Sequence, residues 1–344
     1  MKAIVQDRYG SPDVLELREI DKPVVEDDEV LVRVRATSVH PDIWHVVAGR
    51  PYIIRLMGLG VLKPKSGVPG TDVAGLVESV GKNVTQFQPG DEVFGEIVGG
   101  IQWKHGGAYA EYVSVPEDEL ALKPTNLTFE QAAAVPTSGL IALRNLRDGG
   151  PVRSGQRVLI NGAGGNVGSF AVQIAKAYGA EVTGVDCTEK MELMRSTGAD
   201  QVIDYTQEDF TSGSKRYDII LDVASNLSLS DCRRVLTPDG TYVLIGHDHF
   251  GNARGPWLGS MPRFFGQLAL SPFVSYLPSL NFSKSKSLMA TLKEFMEAGK
   301  ITPVIDRTFP LSEAAGALRY LQDGHARGRV VITCLFSIFH RDVR

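Results

Sequence analysis

The chain is poor in cysteine, and the few cysteines it has are scattered. Its 344 residues contain three, Cys187, Cys232 and Cys334. Their odd number and wide spacing exclude a disulfide framework and a cysteine-rich metal site. Because unpaired cysteines are typical of a reducing compartment, we expect a cytoplasmic protein.

Excess charge and long apolar runs are also missing. With 36 basic and 40 acidic residues the formal net charge is −4, which gives no electrostatic reason to expect nucleic acid or an anionic membrane as a partner. No apolar run approaches the ~20 residues that a membrane span needs. The first residues, Met1 to Arg8, do not resemble a signal peptide. The length predicts two domains of roughly 150 residues each.

Glycine, in contrast, is abundant, and one cluster of it is informative. An apolar segment, Val158 to Asn161, runs into a glycine-dense turn, and a helix-like stretch follows at once. Without Cβ atoms the turn lets backbone approach a pyrophosphate, and the helix behind it directs free N–H groups at the phosphates. The pattern predicts a dinucleotide site, with contacts from Ala163, Gly164, Gly165, Asn166, Val167 and Gly168.

The segment after this helix supports the prediction. Glu181 to Val185 is typical of a second buried strand, and Asp186 closes it 18 positions after Gly168. That is near the spacing at which a carboxylate meets an adenosine ribose.

The two halves of the chain differ in pattern. Residues 1 to about 120 are β-rich, with strands predicted at 30–36, 73–81, 92–95 and 109–115. A helix follows Thr128, which we interpret as its N-cap. Strand and helix then alternate to about residue 246, which predicts a parallel sheet. We expect a loop or lid at 250–280, a helix at 284–298, and strands at 301–309 and 330–333 that rejoin the first domain.

Several motifs, in this order, resemble those of the medium-chain dehydrogenase/reductase superfamily, in particular its zinc-independent quinone oxidoreductase and enone reductase branch. They are Gly70-Thr71-Asp72-Val73-Ala74-Gly75, Pro89-Gly90-Asp91-Glu92-Val93, Gly107-Ala108-Tyr109-Ala110-Glu111-Tyr112, Ala163-x-Gly165-x-x-Gly168 and Gly198-Ala199-Asp200-Gln201-Val202-Ile203-Asp204-Tyr205. The resemblance implies an α/β fold, with a doubly wound Rossmann sheet inserted in a GroES-like β-rich catalytic domain. We expect the catalytic domain at 1–125 and 271–344, the coenzyme domain at 126–270, the active site between them, and a homodimer.

The resemblance also bears on zinc, which needs thiolate, imidazole or carboxylate ligands. Where zinc-dependent relatives have a cysteine, this chain has His40; their His-Glu pair is Thr71-Asp72 here, and their third ligand falls near Ala134. We therefore expect no zinc and, without a Lewis acid, no simple alcohol oxidation. Quinones and α,β-unsaturated carbonyls suit such a site. The alternative is an unusual metal site built from His40, His45, Asp72 and His105.

The resemblance places the first active-site loop at residues 38–45. His40-Pro41 stands where the branch often has Asn-Pro, and His45 stands where quinone reductases often have a tyrosine. An imidazole can deliver a proton near neutral pH, so we expect His45, or else His40, to be the proton donor. The alternative is that His45 only lines the pocket while water protonates the product. We expect Trp44 to form an apolar wall, or simply core, and Thr71 and Asp72 to line the cleft.

Further coenzyme contacts follow from the same resemblance. Ser138, with Thr137 beside it, matches a hydroxyl position that supports the nicotinamide; their alternative role is helix packing. Asp186 favours NADH, whereas Lys190 matches a lysine near the 2′-phosphate, so we expect NADPH with NADH as the alternative. The other expected coenzyme contacts are Cys187, Thr188, Asn226, Gly246 and His247.

The function predicted is an NAD(P)H-dependent, zinc-free oxidoreductase that transfers hydride to a small-molecule quinone or α,β-unsaturated carbonyl. Two alternatives stay open: a zinc-free carbonyl reductase or alcohol dehydrogenase, and a coenzyme-binding structural or regulatory protein with little turnover. Loops 51–66 and 250–280 are expected to shape the pocket. Basic residues of the first loop could meet an anionic substrate or be merely solvated: Arg50, Arg55, Lys63 and Lys65.

Overall fold

A computed structural model describes residues 1–97, 106–246, 255–270, 274–277, 285–324 and 326–334. The strands are β1 Lys2–Val5, β2 Glu16–Glu19, β3 Glu29–Val39, β4 Asp72–Val80, β5 Glu92–Glu96, β6 Tyr112–Pro116, β7 Leu120–Leu122, β8 Arg157–Asn161, β9 Glu181–Asp186, β10 Gln201–Asp204, β11 Tyr217–Asp222, β12 Leu236–Leu244, β13 Ile305–Pro310 and β14 Arg329–Thr333. The helices are α1 Pro41–Ala48, α2 Phe129–Ala133, α3 Pro136–Arg144, α4 Asn166–Ala177, α5 Met191–Ser196, α6 Leu229–Val235, α7 Met261–Leu270, α8 Ser285–Glu297 and α9 Ala314–Gln322.

Strands from both ends of the chain build one sheet. Its order is β13-β14-β3-β4-β5-β7, and β6 also pairs with β3. β3 is the long central strand and lies antiparallel to β4, β6 and β14. The prediction that the last strands rejoin the first domain is therefore confirmed, although β13 begins at Ile305 rather than 301. Alternating Val residues of β3 point into the core on the inner face of this sheet.

The middle of the chain forms the second sheet, which confirms the α/β fold class. Its five strands run in the order β10-β9-β8-β11-β12, and all of them are parallel. Such strands are covered on both faces, which explains why β8 is apolar along nearly its whole length. α4 packs against the sheet with most of its residues buried. β12 starts at Leu236, five residues before the strand that the sequence predicts at 241–246.

The start of α2 was predicted from the sequence, whereas α7 was not. Thr128 caps α2 in a full capping box with Gln131, as its N-cap prediction required. The predicted loop at 250–280 was wrong in part, because Met261–Leu270 is a helix, α7. Its Pro262 lies in the first turn, where a missing N–H costs nothing, and its Gly266 lies within the helix, so Gly and Pro residues did not mark a loop here. None of the helices in the described ranges is long and apolar enough to cross a bilayer.

Candidate active site

The glycine turn joins β8 to α4. The N–H groups of Gly162 and Ala163 both donate to the carbonyl oxygen of Val185, at 2.8 and 3.0 Å, which fixes the turn against β9. Gly162 has a φ of 86°, which favours glycine. A Cβ on Gly168 would lie 2.0 Å from the carbonyl oxygen of Gly162, so the helix can pack this closely only with glycine at that position.

The start of α4 is open to an anion. Gly165 is its N-cap and supplies no side-chain hydrogen bond, so the first amides, those of Asn166 to Gly168, have no partner within the helix. The Nδ2 of Asn166 is buried and also lacks a partner among the described residues. Free donors at a helix N-terminus beside a glycine turn fit a dinucleotide pyrophosphate.

Asp186 ties the turn to the end of β9. Its Oδ2 accepts a hydrogen bond from the Gly164 N–H at 2.9 Å, and its Oδ1 accepts one from the Cys187 N–H at 2.9 Å. The Nζ of Lys190 lies 3.6 Å from the same Oδ1. Asp186, which favours NADH, and Lys190, which favours NADPH, therefore form one ion pair. The hydroxyl of Thr188 donates to the carboxylate of Asp204.

A buried carboxylate that the sequence reasoning missed lies at the end of β11. Asp222 is fully buried, and its Oδ1 accepts hydrogen bonds from Asn161 Nδ2 at 2.7 Å and Ser225 N–H at 2.8 Å. Its Oδ2 accepts from the Tyr242 hydroxyl at 2.7 Å and lies 3.6 Å from the Nη2 of Arg263 in α7. The signal available was an acidic residue at the carboxyl end of a parallel strand, where α/β sheets place ligand sites.

The loop after Asp222 carries a predicted coenzyme residue. Asn226 is exposed, and its Oδ1 accepts a hydrogen bond from Asn161 Nδ2 at 2.7 Å. Ser225 before it has a φ of +58°, an uncommon conformation for a non-glycine residue that often accompanies a binding site. Gly246 follows β12 with a φ of +92°, and no atom lies within 4 Å of the position a Cβ would take. His247 and His105 lie outside the described residues.

A buried polar network links the first sheet to α3. Asp72 is fully buried rather than facing a cleft, and its Oδ1 accepts hydrogen bonds from Thr137 N–H at 2.8 Å and Thr137 Oγ1 at 2.6 Å. Its Oδ2 accepts from the Ser38 hydroxyl and lies 3.4 Å from the Nη2 of Arg329. Arg329 Nη1 donates to the Ser138 hydroxyl at 2.7 Å. These contacts agree with the packing role weighed for Thr137 and Ser138.

The network shifts the pKa of neighbouring groups. Burial and the Asp72 charge raise the pKa of Glu96, at the end of β5, to about 7, although a hydrogen bond with Thr137 opposes the rise. Burial lowers the pKa of Arg329, while Asp72 and Tyr109 oppose that shift. Sequence reasoning missed both residues. Neither lies in a motif, and only the folded sheet brings them to Asp72.

Two buried polar atoms lie at one end of the β3–β4 pair without partners. His40 follows β3 and Thr71 precedes β4; the Nε2 of His40 and the Oγ1 of Thr71 are buried and have no hydrogen-bond partner among the described residues. His40 is also the N-cap of α1, and its Nδ1 accepts the Asp42 N–H at 3.3 Å. Asp42 Oδ2 lies 3.2 Å from the same Nδ1, so this carboxylate would be the partner of a protonated Nδ1.

His45 and Trp44 lie further along α1. The Nδ1 of half-buried His45 lies 2.7 Å from the carbonyl oxygen of Arg50, so Nδ1 must carry the proton of that hydrogen bond. Trp44 is 6% exposed and belongs to the core of the first sheet. Its ring meets the His45 ring edge-on at 5.2 Å between centroids. Of the two roles expected for Trp44, an apolar wall or a core residue, its packing agrees with the core residue.

The positions at which zinc-dependent relatives would bind their metal offer few available ligand atoms in this chain. Asp72 is held by the network, Ala134 has no ligand atom, and of the two ring nitrogens of His40 only Nε2 is without a partner within the described ranges. No group of three or more His, Cys, Asp and Glu residues suited to a metal occurs in the part of the chain that the structure describes. The fold and this site define a two-domain dinucleotide-binding protein.

Comparison with known proteins places this protein in a family. Residues 26–125 match the alcohol dehydrogenase GroES-like domain, and residues 197–332 match a family described as zinc-binding dehydrogenase. The chain is 35% identical to the mouse (Mus musculus) protein named NAD(P)H oxidoreductase RTN4IP1, mitochondrial, over 96% of this chain and 89% of that one. It is 33% identical to 2-methylene-furan-3-one reductase of tomato (Solanum lycopersicum), over 96% and 79% of the two chains.

A solved structure supports the same placement. The quinone oxidoreductase from Coxiella burnetii superposes with a TM-score of 0.80 at 28% identity, covering 97% of this chain and 99% of that one. The chain belongs to the medium-chain dehydrogenase/reductase superfamily, and within it is quinone oxidoreductase-like. It is an oxidoreductase with a nicotinamide coenzyme.

Proposed function

We propose that this enzyme uses NAD(P)H to reduce quinones or α,β-unsaturated carbonyl compounds without zinc. When bound, the reduced nicotinamide supplies the hydride. The names of the tomato relative and of the Coxiella structure support these substrate classes. The donor set around His40 supports the zinc-free part, because it lacks thiolates and its buried carboxylate, Asp72, is already paired with Arg329.

The coenzyme is proposed to lie across the carboxyl end of the parallel sheet. The amides of Asn166, Val167 and Gly168 would bind its pyrophosphate. The turn residues Ala163, Gly164 and Gly165 allow its close approach. The adenosine ribose would meet the end of β9, at Asp186, Cys187, Thr188 and Lys190. The nicotinamide half would reach the loops after β11 and β12, at Asn226, Gly246 and His247.

The observation that carries the proposed reaction is the pair of unpartnered groups, His40 Nε2 and Thr71 Oγ1. Both can donate a hydrogen bond to a substrate carbonyl oxygen, where negative charge develops as an electrophilic carbon accepts hydride. From its charged form, His40 can then transfer its Nε2 proton to the product and is left as a neutral imidazole. The Asp42 carboxylate, with Oδ2 3.2 Å from Nδ1, would stabilise that charged form.

His45 is the second candidate for the proton donor. Because its Nδ1 donates to the Arg50 carbonyl, a neutral His45 has a lone pair on Nε2 and can give up a proton there only from the charged ring. We rank His40 before His45, the reverse of the order that the sequence suggested, because the Nε2 of His40 is buried and has no partner among the described residues. Asp72, Thr137 and Ser138 are proposed to position Thr71 at the start of β4. Trp44 packs behind α1.

Three finer assignments are part of the proposal. NADPH is preferred over NADH because Lys190 can turn from Asp186 to a 2′-phosphate. Location in the cytoplasm is proposed from the unpaired cysteines, although the mouse relative is named as mitochondrial.

A homodimer is proposed through the outer edge of β12. The backbone of β12 can form hydrogen bonds along this edge, because Tyr242 N–H donates to the Tyr276 carbonyl oxygen of the same chain at 2.8 Å.

Steady-state oxidation of NADH and NADPH with a panel of quinones, enones, ketones and alcohols tests the reaction. We expect consumption of NADPH with quinones or enones, and zinc below one-tenth of an equivalent in the purified protein. Turnover confined to ketones would identify a carbonyl reductase. Coenzyme binding without turnover of any acceptor would identify a structural or regulatory protein. Stoichiometric zinc would overturn the metal-free proposal.

Two matched variants test the proton donor. His40→Phe should lower kcat by at least ~10-fold, and His45→Phe should do so if the sequence-based assignment is correct instead. Coenzyme Kd, measured by fluorescence quenching, should stay unchanged in both variants. Wild-type kcat in both would remove the histidines from the reaction and leave protonation to water.

A further inference from the structure

Large apolar side chains that face solvent are concentrated in two segments of the chain. Of the twelve that are exposed in the described ranges, four lie at 56–62 and four at 257–270. Leu62 is 90% exposed and Trp257 is 72% exposed. Monomeric proteins rarely expose clustered apolar groups of this size, and such clusters mark interaction sites.

The two segments form one surface. Tyr52 N–H donates to the Pro256 carbonyl at 2.8 Å and Ile53 N–H donates to the Trp257 carbonyl at 3.1 Å. The rings of Tyr52 and Trp257 meet edge-on with centroids 5.3 Å apart. We call this the bridge surface; it comprises Leu56, Met57, Val61, Leu62, Trp257 and Leu258.

Both segments are firmly attached to the fold. The guanidinium of Arg55 lies over the rings of Tyr9 and Tyr52, at 4.2 and 4.7 Å, and its Nε donates to the Gly49 carbonyl at 2.8 Å. On the other side, Arg263 donates to the carbonyls of Ser225 and Leu227. The apolar side chains are thus displayed on anchored loops.

Acidic residues are absent from the sequence around the bridge surface. The protein has 40 Asp and Glu residues, but none occurs at 43–71, which holds four basic residues, and none at 249–293, which holds five. Lys63 and Lys65, next to Leu62, are both exposed, and within the described ranges neither forms an ion pair. Beside Leu62 the surface is therefore cationic, although the net charge of the protein is −4.

We propose that the bridge surface docks on the interface of an anionic lipid bilayer. Leu62 and its neighbours would enter the boundary between headgroups and acyl chains, and the lysines would meet anionic headgroups. A second copy of the chain suits this surface less well, because a two-fold contact would set its cations against themselves. A nucleic acid also suits the surface less well, because five of its six side chains are aliphatic and only Trp257 could stack on a base. This revises the expectation from net charge, which averages over the whole surface and hides a local patch.

Vesicle co-sedimentation of the whole protein tests the proposal. The probes are phosphatidylcholine vesicles with and without 30% phosphatidylserine, at about 0.05 and 0.5 M salt. We expect binding only to the anionic vesicles, weakened by the higher salt. Leu62→Glu should weaken it at least ~10-fold, and Lys63→Gln and Lys65→Gln about fivefold each. Val24→Glu is the control, because Val24 is an 80% exposed residue outside the bridge surface.

Several outcomes of the vesicle experiment would contradict the proposal. Equal sedimentation with neutral and anionic vesicles, or none with either, would overturn the proposal. So would Leu62→Glu binding like the wild type, or Val24→Glu losing as much as Leu62→Glu. A self-associated wild type that Leu62→Glu converts to monomer in sedimentation velocity, without vesicle binding, would show that a second copy covers the surface. Coenzyme titration of each variant checks that it is folded.

Discussion

Arg329 and Asp72 form an ion pair in which both side chains are 0% exposed, with Nη2 3.4 Å from Oδ2. Asp72 starts β4 and Arg329 starts β14, so the pair connects strands that are remote along the chain. Ser38 and Ser138 satisfy the remaining guanidinium donors on this side, at 2.6 and 2.7 Å. The arrangement is a buried network in which the Nε of Arg329 has no partner among the described residues, and its stability depends on both charges.

Removing either charge should destabilise the fold strongly. Asp72→Asn leaves a buried guanidinium without its counter-charge, and Arg329→Met leaves the carboxylate unpaired, so each should cost about 3–5 kcal/mol in the free energy of unfolding. The double variant should recover part of the loss. Urea unfolding measures all three. Asp7→Asn, which breaks an exposed pair with Arg18, should leave the midpoint nearly unchanged; an equal effect there would contradict the argument.

The close contact at Gly168 predicts a specific loss of coenzyme binding. In Gly168→Ala the new Cβ, 2.0 Å from the Gly162 carbonyl oxygen, forces the turn away from α4. NADPH binding should weaken at least ~10-fold, because the amides at the start of α4 lose their alignment. Gly316→Ala in α9 is the matched control, since its Cβ would meet no atom within 4 Å. That variant should bind normally and gain up to about 1 kcal/mol of stability.

Features set by local pattern were predictable from the sequence. The β8–turn–α4 unit follows from an apolar run, glycines and a helical repeat within about 20 residues, and Thr128 follows from capping chemistry. α7 was missed because Gly and Pro residues around it predicted a loop, while Arg263, which joins it to the Asp222 loop, gives no local signal.

The buried network was beyond sequence reasoning for a different reason. Arg329 and Ser38 are separated by 291 positions and meet only because β14 pairs with β3. Asp72 was predicted as a cleft residue from the resemblance, whereas its hydrogen bonds to Thr137 depend on how α3 packs. The unpartnered atoms of His40 and Thr71 likewise emerge only from the ends of paired strands.

The Asp186–Lys190 pair predicts how coenzyme preference can be changed. Lys190→Ala should raise KM for NADPH by about 10-fold and leave KM for NADH nearly unchanged, because only the phosphate needs the lysine. Asp186→Asn removes the negative charge but keeps an oxygen for the Gly164 N–H, so it should shift preference toward NADPH. Steady-state kinetics with both coenzymes checks this. Equal changes for the two coenzymes would remove Lys190 from phosphate recognition.

The raised pKa of Glu96 predicts a pH dependence of stability. Burial and the nearby Asp72 carboxylate raise this pKa from 4.5 to about 7, so the folded state binds the proton more tightly than the unfolded state does. The resulting stabilisation is complete below the unfolded-state pKa and is lost as the pH rises through about 7. Between pH 5 and pH 8 the loss should be on the order of 2 kcal/mol. Glu96→Gln keeps the polar group but cannot ionise, so its urea unfolding should lack this component and it should be the more stable protein at pH 8. Parallel pH profiles for the two proteins would show that Glu96 does not titrate in this range.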